Sequence, residues 1–221
     1  VELLDGPFVF GDATDLSGRG QWGGVTIAGF GADMHDSSGE IYYLVVAEAG
    51  FTLGTQPPAA LSLESVGHGT VMEYVQVIGA AGDGMAFKGG HVHAHHLLVN
   101  APGDNALDMS GGFAGQIQHA LVTLDGLSEA AGLALSNSPD TAMPTHPQLA
   151  NLTVLGGGGM AILHRGGAAG QVYRSVLSDD TLAGTSFLHG CVDIDDELPA
   201  ELEYFDTVLN CAAGGLVADE R

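Results

Sequence analysis

Short apolar runs, each closed by glycine or an acidic turn, recur along the chain at intervals of about 20 to 33 residues. TVMEYVQVIGAAGDG, which starts at Thr70, resembles HVHAHHLLVNAPGDN, which starts at His91, with an offset of 21. Related runs begin at Gly39, Gly115, Pro147, Gly170 and Leu202. The runs are short, glycine-bounded and free of amphipathic helix periodicity, so they indicate repeated β-strands.

Aligning the repeats gives columns of equivalent positions. The first column contains Tyr43, Tyr74, His95, Gln118, Ala150, Tyr173 and Phe205. The column three positions later is apolar in six of seven repeats and is predicted to point inward, as a stack of Val46, Val77, Leu98, Leu121, Val176 and Val208. The column one position after the first is mainly polar and is predicted to point outward, with Leu44, Val75, His96, His119, Asn151, Arg174 and Asp206.

Repeats of this length predict an all-β parallel solenoid of about seven to eight coils. A single coil exposes its backbone edges, and stacking satisfies the hydrogen bonds while like side chains pile up at about the 4.8 Å strand spacing. A β-sandwich is the rival fold, but its strands are not expected to keep one column in register over seven repeats. The whole chain, residues 1–221, is predicted to be one β-helix domain, with an N-terminal segment or cap at 1–20 and surface insertions at 136–147 and 193–203.

Several stretches resemble a group of exported bacterial cell-envelope proteins, mostly of unknown function. They are QWGGVTIAGFG, SGEIYYLVVAEAG, LSLESVGHGTVMEYVQV, GDGMAFKGGHVHAHHLLV and GDNALDMSGGFAGQIQHALV, and the resemblance covers roughly residues 20–180. It implies export and a single-stranded right-handed parallel β-helix, and it transfers no catalytic residues. The segment before Gln21 is shorter than that group's usual N-terminal coils, as expected of a chain that starts inside a larger parent.

The charge balance narrows the range of partners. The chain has 27 acidic and five basic residues, a net charge of −22. This charge argues against nucleic acid and anionic membranes as partners, and no apolar run approaches the ~20 residues of a membrane span. It suits a secreted, periplasmic or cell-surface protein, a high-salt environment, or divalent-cation binding.

Cys191 and Cys211 are compatible either with a disulfide or with two buried thiols.

The stretch HVHAHH at residues 91–96 raises the question of a metal site. His91, His93 and His95 alternate and should share one strand face, whereas His96 should lie on the other face, stacked on His119 of the next coil. Imidazoles bind zinc or copper, so His96 and His119 are candidate ligands. The preferred interpretation is a ladder of like side chains, because the segment itself offers no partner groups to orient the rings.

Acidic turns form a second candidate site. Asp83 in GDG and Asp104 in GDN are predicted to occupy equivalent turns in adjacent coils, and Asp108 follows shortly after. Stacked carboxylates are oxygen ligands of the kind that calcium prefers. The alternative is that these residues only stabilise turns through local hydrogen bonds. The three aspartates are therefore a candidate calcium site.

The function favoured by the sequence is a non-catalytic structural or binding module of the cell envelope or extracellular space. No nucleophile elbow, zinc-protease motif or phosphate loop is present. One alternative is a carbohydrate-active enzyme, either a polysaccharide lyase or a glycoside hydrolase. Another is a subunit of an extracellular assembly, since open coil ends can associate with further copies or with other envelope proteins.

Overall fold

A computed structural model describes residues 8–10, 18–30, 34–126, 130–137, 143–179, 190–194, 201–211 and 216–218. Most of the predicted N-terminal segment and the central parts of both predicted insertions, residues 138–142 and 195–200, lie outside the described residues. Within the described ranges, no helix is long and apolar enough to cross a membrane.

The described strands form two parallel sheets, and successive coils contribute to each in turn. The first sheet contains β1 (Phe8–Phe10), β3 (Glu40–Ala47), β5 (Val71–Ile78), β7 (His93–Asn100), β9 (Gln116–Thr123), β11 (Gln148–Leu155), β13 (Gly170–Tyr173), β14 (Val176–Ser178), β16 (Leu202–Phe205) and β17 (Val208–Asn210). The second sheet contains β2 (Val25–Ala28), β4 (Leu61–Val66), β6 (Met85–Gly90), β8 (Leu107–Ser110), β10 (Ala131–Ser136), β12 (Met160–Arg165), β15 (Val192–Ile194) and β18 (Leu216–Ala218).

This arrangement is a parallel β-helix. Apart from the strands at the ends of the two sheets, each described strand pairs in parallel with a strand one coil before it and a strand one coil after it. In the first sheet, β13 and β14 follow each other along one level, and β16 and β17 follow each other along the next. The described part of each sheet therefore has eight levels. The predicted fold class and the predicted number of coils are confirmed.

The core lies between the two sheets and is built from columns of like apolar residues. One column runs through seven levels of the first sheet, as Val46, Val77, Val99, Val122, Val154, Leu177 and Leu209. From the second sheet, Met85, Phe87, Leu107, Met109 and Leu133 are completely buried. Burial of such side chains stabilises a fold by about 1.5–3 kcal/mol each, so these columns hold the coils together.

The predicted interior column is only partly correct. Val46 and Val77 are buried, but Leu98 lies on the outer face, and Leu121, Val176 and Val208 expose 37%, 39% and 55% of their surface. The cause is a slip of one residue, because β5 pairs with β7 at an offset of 22, as in Val77 with Val99. Since side chains alternate along a strand, a slip of one position moves every residue to the opposite face.

A row of residues in the left-handed backbone conformation explains the slip. Each has φ between 48° and 59°, and the row consists of Tyr43, Tyr74, His96, His119, Asn151, Arg174 and Asp206. Such a residue interrupts the alternation, so that two consecutive side chains point outward. In β7, His95 and His96 both lie on the outer face, and Leu97 turns inward. The prediction that His96 lies on the face opposite His95 is therefore wrong.

Cys191 and Cys211 form a disulfide with Cα atoms 5.6 Å apart. Cys191 is completely buried and belongs to the main core, and Cys211 packs against that core. Of the two alternatives left open by the sequence, the structure has the bridge. It joins the chain before β15 to the chain after β17 and so fastens the last described coils.

Candidate functional site

A ladder of four stacked rings crosses the outer face of the first sheet. The ring centroids of Tyr43 and Tyr74 are 5.0 Å apart, those of Tyr74 and His96 are 4.5 Å apart, and those of His96 and His119 are 5.1 Å apart. All three pairs are close to parallel, with interplanar angles of 8°, 15° and 21°. The predicted stacking of His96 on His119 is confirmed. The two inner rings, those of Tyr74 and His96, are stacked on both faces, so they present their edges to solvent.

A groove of about 300 Å³ runs beside this ladder. It is lined by Tyr43, Val45, Tyr74, Gln76, His96, Leu97, Leu98 and Leu121. Three of the four ladder rings form one side, and the next outer column contributes the other, with Val45, Gln76, Leu98 and Leu121. Ligand sites are commonly concave, mainly apolar and equipped with a few polar groups, and the groove has these features.

The groove was missed in the sequence because two of its apolar residues, Leu98 and Leu121, were predicted to lie in the core. A usable signal was present nevertheless. The predicted outward column already contained His96, His119, Asn151, Arg174 and Asp206, and His, Asn and Asp are the residues that best tolerate positive φ. When one aligned strand position is rich in these residues across the repeats, it indicates that side chains stop alternating between the two faces at that position.

A row of amide side chains lies on the same outer face. Gln116 donates to Gln148 at 2.8 Å, Gln148 donates to Gln171 at 3.4 Å, and Gln171 donates to the carboxylate of Glu203 at 2.6 Å. His93 precedes Gln116 in the same column. This row gives the outer face hydrogen-bonding groups beside its aromatic and apolar ones.

Histidines crowd the start of β7. The rings of His35 and His68 are 4.6 Å apart, and those of His68 and His93 are 5.9 Å apart. Burial lowers the pKa of His93, and the neighbouring imidazoles of His68, His91 and His95 lower that pKa further. The cluster is therefore close enough for its members to oppose the protonation of His93.

The described residues contain no group of three or more His, Cys, Asp or Glu side chains placed to hold a metal ion. His96 and His119 meet through their ring faces, at the ladder distance given above. Zinc or copper coordination by this pair stays a prediction.

Asp83 is paired differently from the prediction. One of its carboxylate oxygens accepts hydrogen bonds from the backbone nitrogen and the side-chain amide of Asn105, at 3.0 and 3.2 Å. Asn105 in turn accepts a bond from the backbone of Ala131 at 3.1 Å. Asp104 instead donates its backbone N–H to Gly82. Asp83 is thus equivalent to Asn105 rather than to Asp104, and it braces three successive turns.

The three predicted aspartates nevertheless influence one another. Burial, first of all, and then the charges of Asp108 and Asp104 together raise the pKa of Asp83 to about 7, against the opposing hydrogen bonds from Asn105. Burial also raises the pKa of Asp108, although a hydrogen bond from Ser110 and the charge of Lys88 oppose the shift. Carboxyl groups that repel one another in this way are neutralised by a proton or by a cation. Calcium binding by Asp83, Asp104 and Asp108 stays a prediction.

The acidic cluster and the groove belong to different sheets. Asp108 lies in β8 of the second sheet, and Asp83 lies in the turn that leads into β6 of the same sheet. Every residue that lines the groove comes from β3, β5, β7 or β9 of the first sheet. The acidic cluster is therefore separate from the groove.

Comparison with known proteins supports the fold. The family model for the pectate-lyase-like β-helix domain matches residues 9–191, which is most of the chain. The comparisons with curated proteins and with solved structures returned no match. The continuous family match, together with the stacked parallel coils, shows that the chain belongs to the pectate-lyase-like β-helix family.

Proposed function

We propose that the protein is an exported, non-catalytic binding module that holds a linear, neutral carbohydrate chain in the groove beside the aromatic ladder. The observation that carries this proposal is the groove itself. It passes from β3 to β9 across four coils, so an extended chain can contact several levels at once. Its apolar wall suits the C–H faces of sugar rings, while the amide of Gln76 and the ring edges of Tyr74 and His96 offer hydrogen bonds to hydroxyl groups.

The composition of the groove favours binding over hydrolysis. Glycoside hydrolysis ordinarily requires two carboxyl groups that flank the scissile bond. The residues that line the groove are apolar, aromatic or amide-bearing, and none of them is acidic. A net charge of −22 would repel a polyuronate, so a neutral chain is the better fit.

Export is supported by the disulfide and by the charge. Disulfides persist in oxidising compartments and are rare in reducing ones. The Cys191–Cys211 bridge therefore suits a secreted, periplasmic or surface-exposed protein. A high negative charge also keeps such a protein soluble and limits self-association.

The binding prediction is tested by titrating the protein with neutral oligosaccharides of increasing length. We expect affinity to rise with length until the chain spans the four coils of the groove. Leu98→Ala and Gln76→Ala should each weaken binding about tenfold, which corresponds to roughly 1.4 kcal/mol. Val208→Ala is the matched control, because Val208 occupies the same outer column as Leu98 but does not line the groove.

Binding that is unchanged in Leu98→Ala and Gln76→Ala would refute the groove as the site, as would the absence of binding across a broad neutral panel.

A second candidate function is hydrolysis at the acidic cluster. It is favoured by Asp83, whose pKa of about 7 suits a carboxyl group that donates a proton near neutral pH. The same oligosaccharides can be assayed for new reducing ends. If the protein releases reducing ends, and Asp83→Asn abolishes this release while binding in the groove is unaffected, the acidic cluster has an enzymatic function.

A further inference from the structure

Two consecutive histidines share the outer face of β7. In a regular strand, neighbouring side chains point to opposite faces, and two adjacent residues cannot hold one ligand. His96 has a φ of 59°, which turns its side chain to the same face as that of His95. Their rings are inclined at 67°, with centroids 5.5 Å apart.

The ring nitrogens of this pair face each other. The Nδ1 atoms of His95 and His96 are 3.4 Å apart. Two imidazole nitrogens that each lie 2.0–2.1 Å from one tetrahedral metal ion are separated by about 3.4 Å. From this agreement we propose that His95 and His96 form a two-histidine site for a divalent transition-metal ion, Cu²⁺ or Zn²⁺, bound through both Nδ1 atoms.

A carboxylate supports the ligand role of His95. Oε1 of Glu73, on the adjacent strand β5, lies 3.5 Å from Nε2 of His95. With the proton on Nε2, the nitrogen nearer to Glu73, the Nδ1 lone pair is free for a metal ion. Metal-bound histidines commonly have such a carboxylate on the second ring nitrogen, which fixes the ring and makes it more basic.

The ring of His96 is held by stacking instead of by a carboxylate. It is stacked between Tyr74 and His119 in the ladder, so the plane of the ring is set before any ion binds. In that plane, Nδ1 lies on the side of His95. The sequence suggested the ladder as an alternative to a metal site. The two are compatible, because the proposed second ligand beside His96 is His95 and not its ladder neighbour His119.

The surroundings leave room for an exchangeable ligand. The side chain of His95 is 37% exposed, and no third His, Cys, Asp or Glu among the described residues joins the pair in a metal-binding group. Water, or a group of a bound molecule, therefore completes the coordination shell. The net charge of −22 raises the local concentration of divalent cations around the protein. The site does not depend on carbohydrate binding, although His96 also lines the groove.

The test is a titration of the tag-free full chain with Cu²⁺ near neutral pH, followed by calorimetry and electron paramagnetic resonance. We expect one ion per chain at the pair, with a spectrum that shows two bound imidazole nitrogens. His95→Gln and His96→Asn should each weaken binding at least tenfold. Each substitute already occurs in the same column, as Gln118 and Asn151, so both variants should fold. Glu73→Gln should weaken binding about 10- to 100-fold.

His119→Tyr is the matched control, because tyrosine keeps a ring stacked on His96, lacks the imidazole nitrogens and already occurs in this column as Tyr43 and Tyr74. It should leave the affinity within about twofold. Loss of binding in His119→Tyr with retention in His95→Gln would overturn the assignment in favour of the His96–His119 pair. A spectrum with a single bound nitrogen, or an affinity that neither His95→Gln nor His96→Asn changes, would show that the Nδ1 contact is only a hydrogen bond between the rings. Zn²⁺ competing for the bound Cu²⁺ would extend the site to zinc.

Discussion

Val99→Asp is expected to prevent the chain from folding, whereas the same change at the neighbouring Leu98 should leave it folded. Val99 is 1% exposed and stands in the middle of an interior column, between Val77 and Val122. A carboxylate there has no partner, and its burial costs several kcal/mol. Leu98 lies on the outer face, so Leu98→Asp should change the free energy of unfolding by no more than about 1 kcal/mol. Circular dichroism and urea unfolding of the two variants measure the difference.

The pair of variants separates the observed register from the one predicted from the repeats. In the predicted register Leu98 is an interior residue, and the two outcomes are reversed. A folded Val99→Asp together with an unfolded Leu98→Asp would therefore contradict the structure of β7.

His164→Leu should make the protein markedly more resistant to acid. His164 is 1% exposed, and neither ring nitrogen has a hydrogen-bond partner among the described residues. Burial lowers its pKa to about 4. The unfolded chain binds a proton at this residue near pH 6.5 and the folded chain does not, so stability is lost as the pH falls from 6.5 to 4. The loss amounts to about 3 kcal/mol.

Leucine suits this position because its neighbours in the column are Leu135 and Ile194. The measurement is the free energy of unfolding of both proteins at pH 7 and at pH 4.5. Asp83 acts in the opposite direction: its pKa is raised in the folded state, so its contribution is greatest at low pH and is lost as the pH rises toward 7. Both proteins retain Asp83, so the difference between them isolates His164. An equal loss of stability in both would show that His164 is not the acid-sensitive group.

The repeats were enough to predict the β-helix, its coil number and the stacking of His96 on His119. Stacked coils require short apolar runs at regular intervals, and these runs are directly visible in the sequence. The alternation of side chains between the two faces depends on φ at single residues, which the sequence indicates less clearly. Tyr43 and Tyr74 adopt the left-handed conformation although tyrosine is not a residue that favours it, so the first two repeats were aligned one position away from the others.

The candidate sites were predictable in part for the same reason. The aspartates around Asp83 were identified by residue type, and the structure brings Asp83, Asp104 and Asp108 within electrostatic reach of one another. The pairing of Asp83 with Asn105 was not predictable, because it depends on an offset of 22 between coils. The contact between His95 and Glu73 likewise joins two coils, and the HVHAHH segment alone does not contain it.

The left-handed row sets the outer face of the first sheet, and with it the groove and the histidine pair. Thiol labelling of Leu98→Cys and Val99→Cys tests it most directly. The only two native cysteines are joined to each other, so the introduced cysteine is the single free thiol. We expect the thiol at position 98 to react readily in the native protein and the one at position 99 to react on the order of 100-fold more slowly, since it requires unfolding. Rapid labelling at position 99 with protection at position 98 would contradict this arrangement of the outer face.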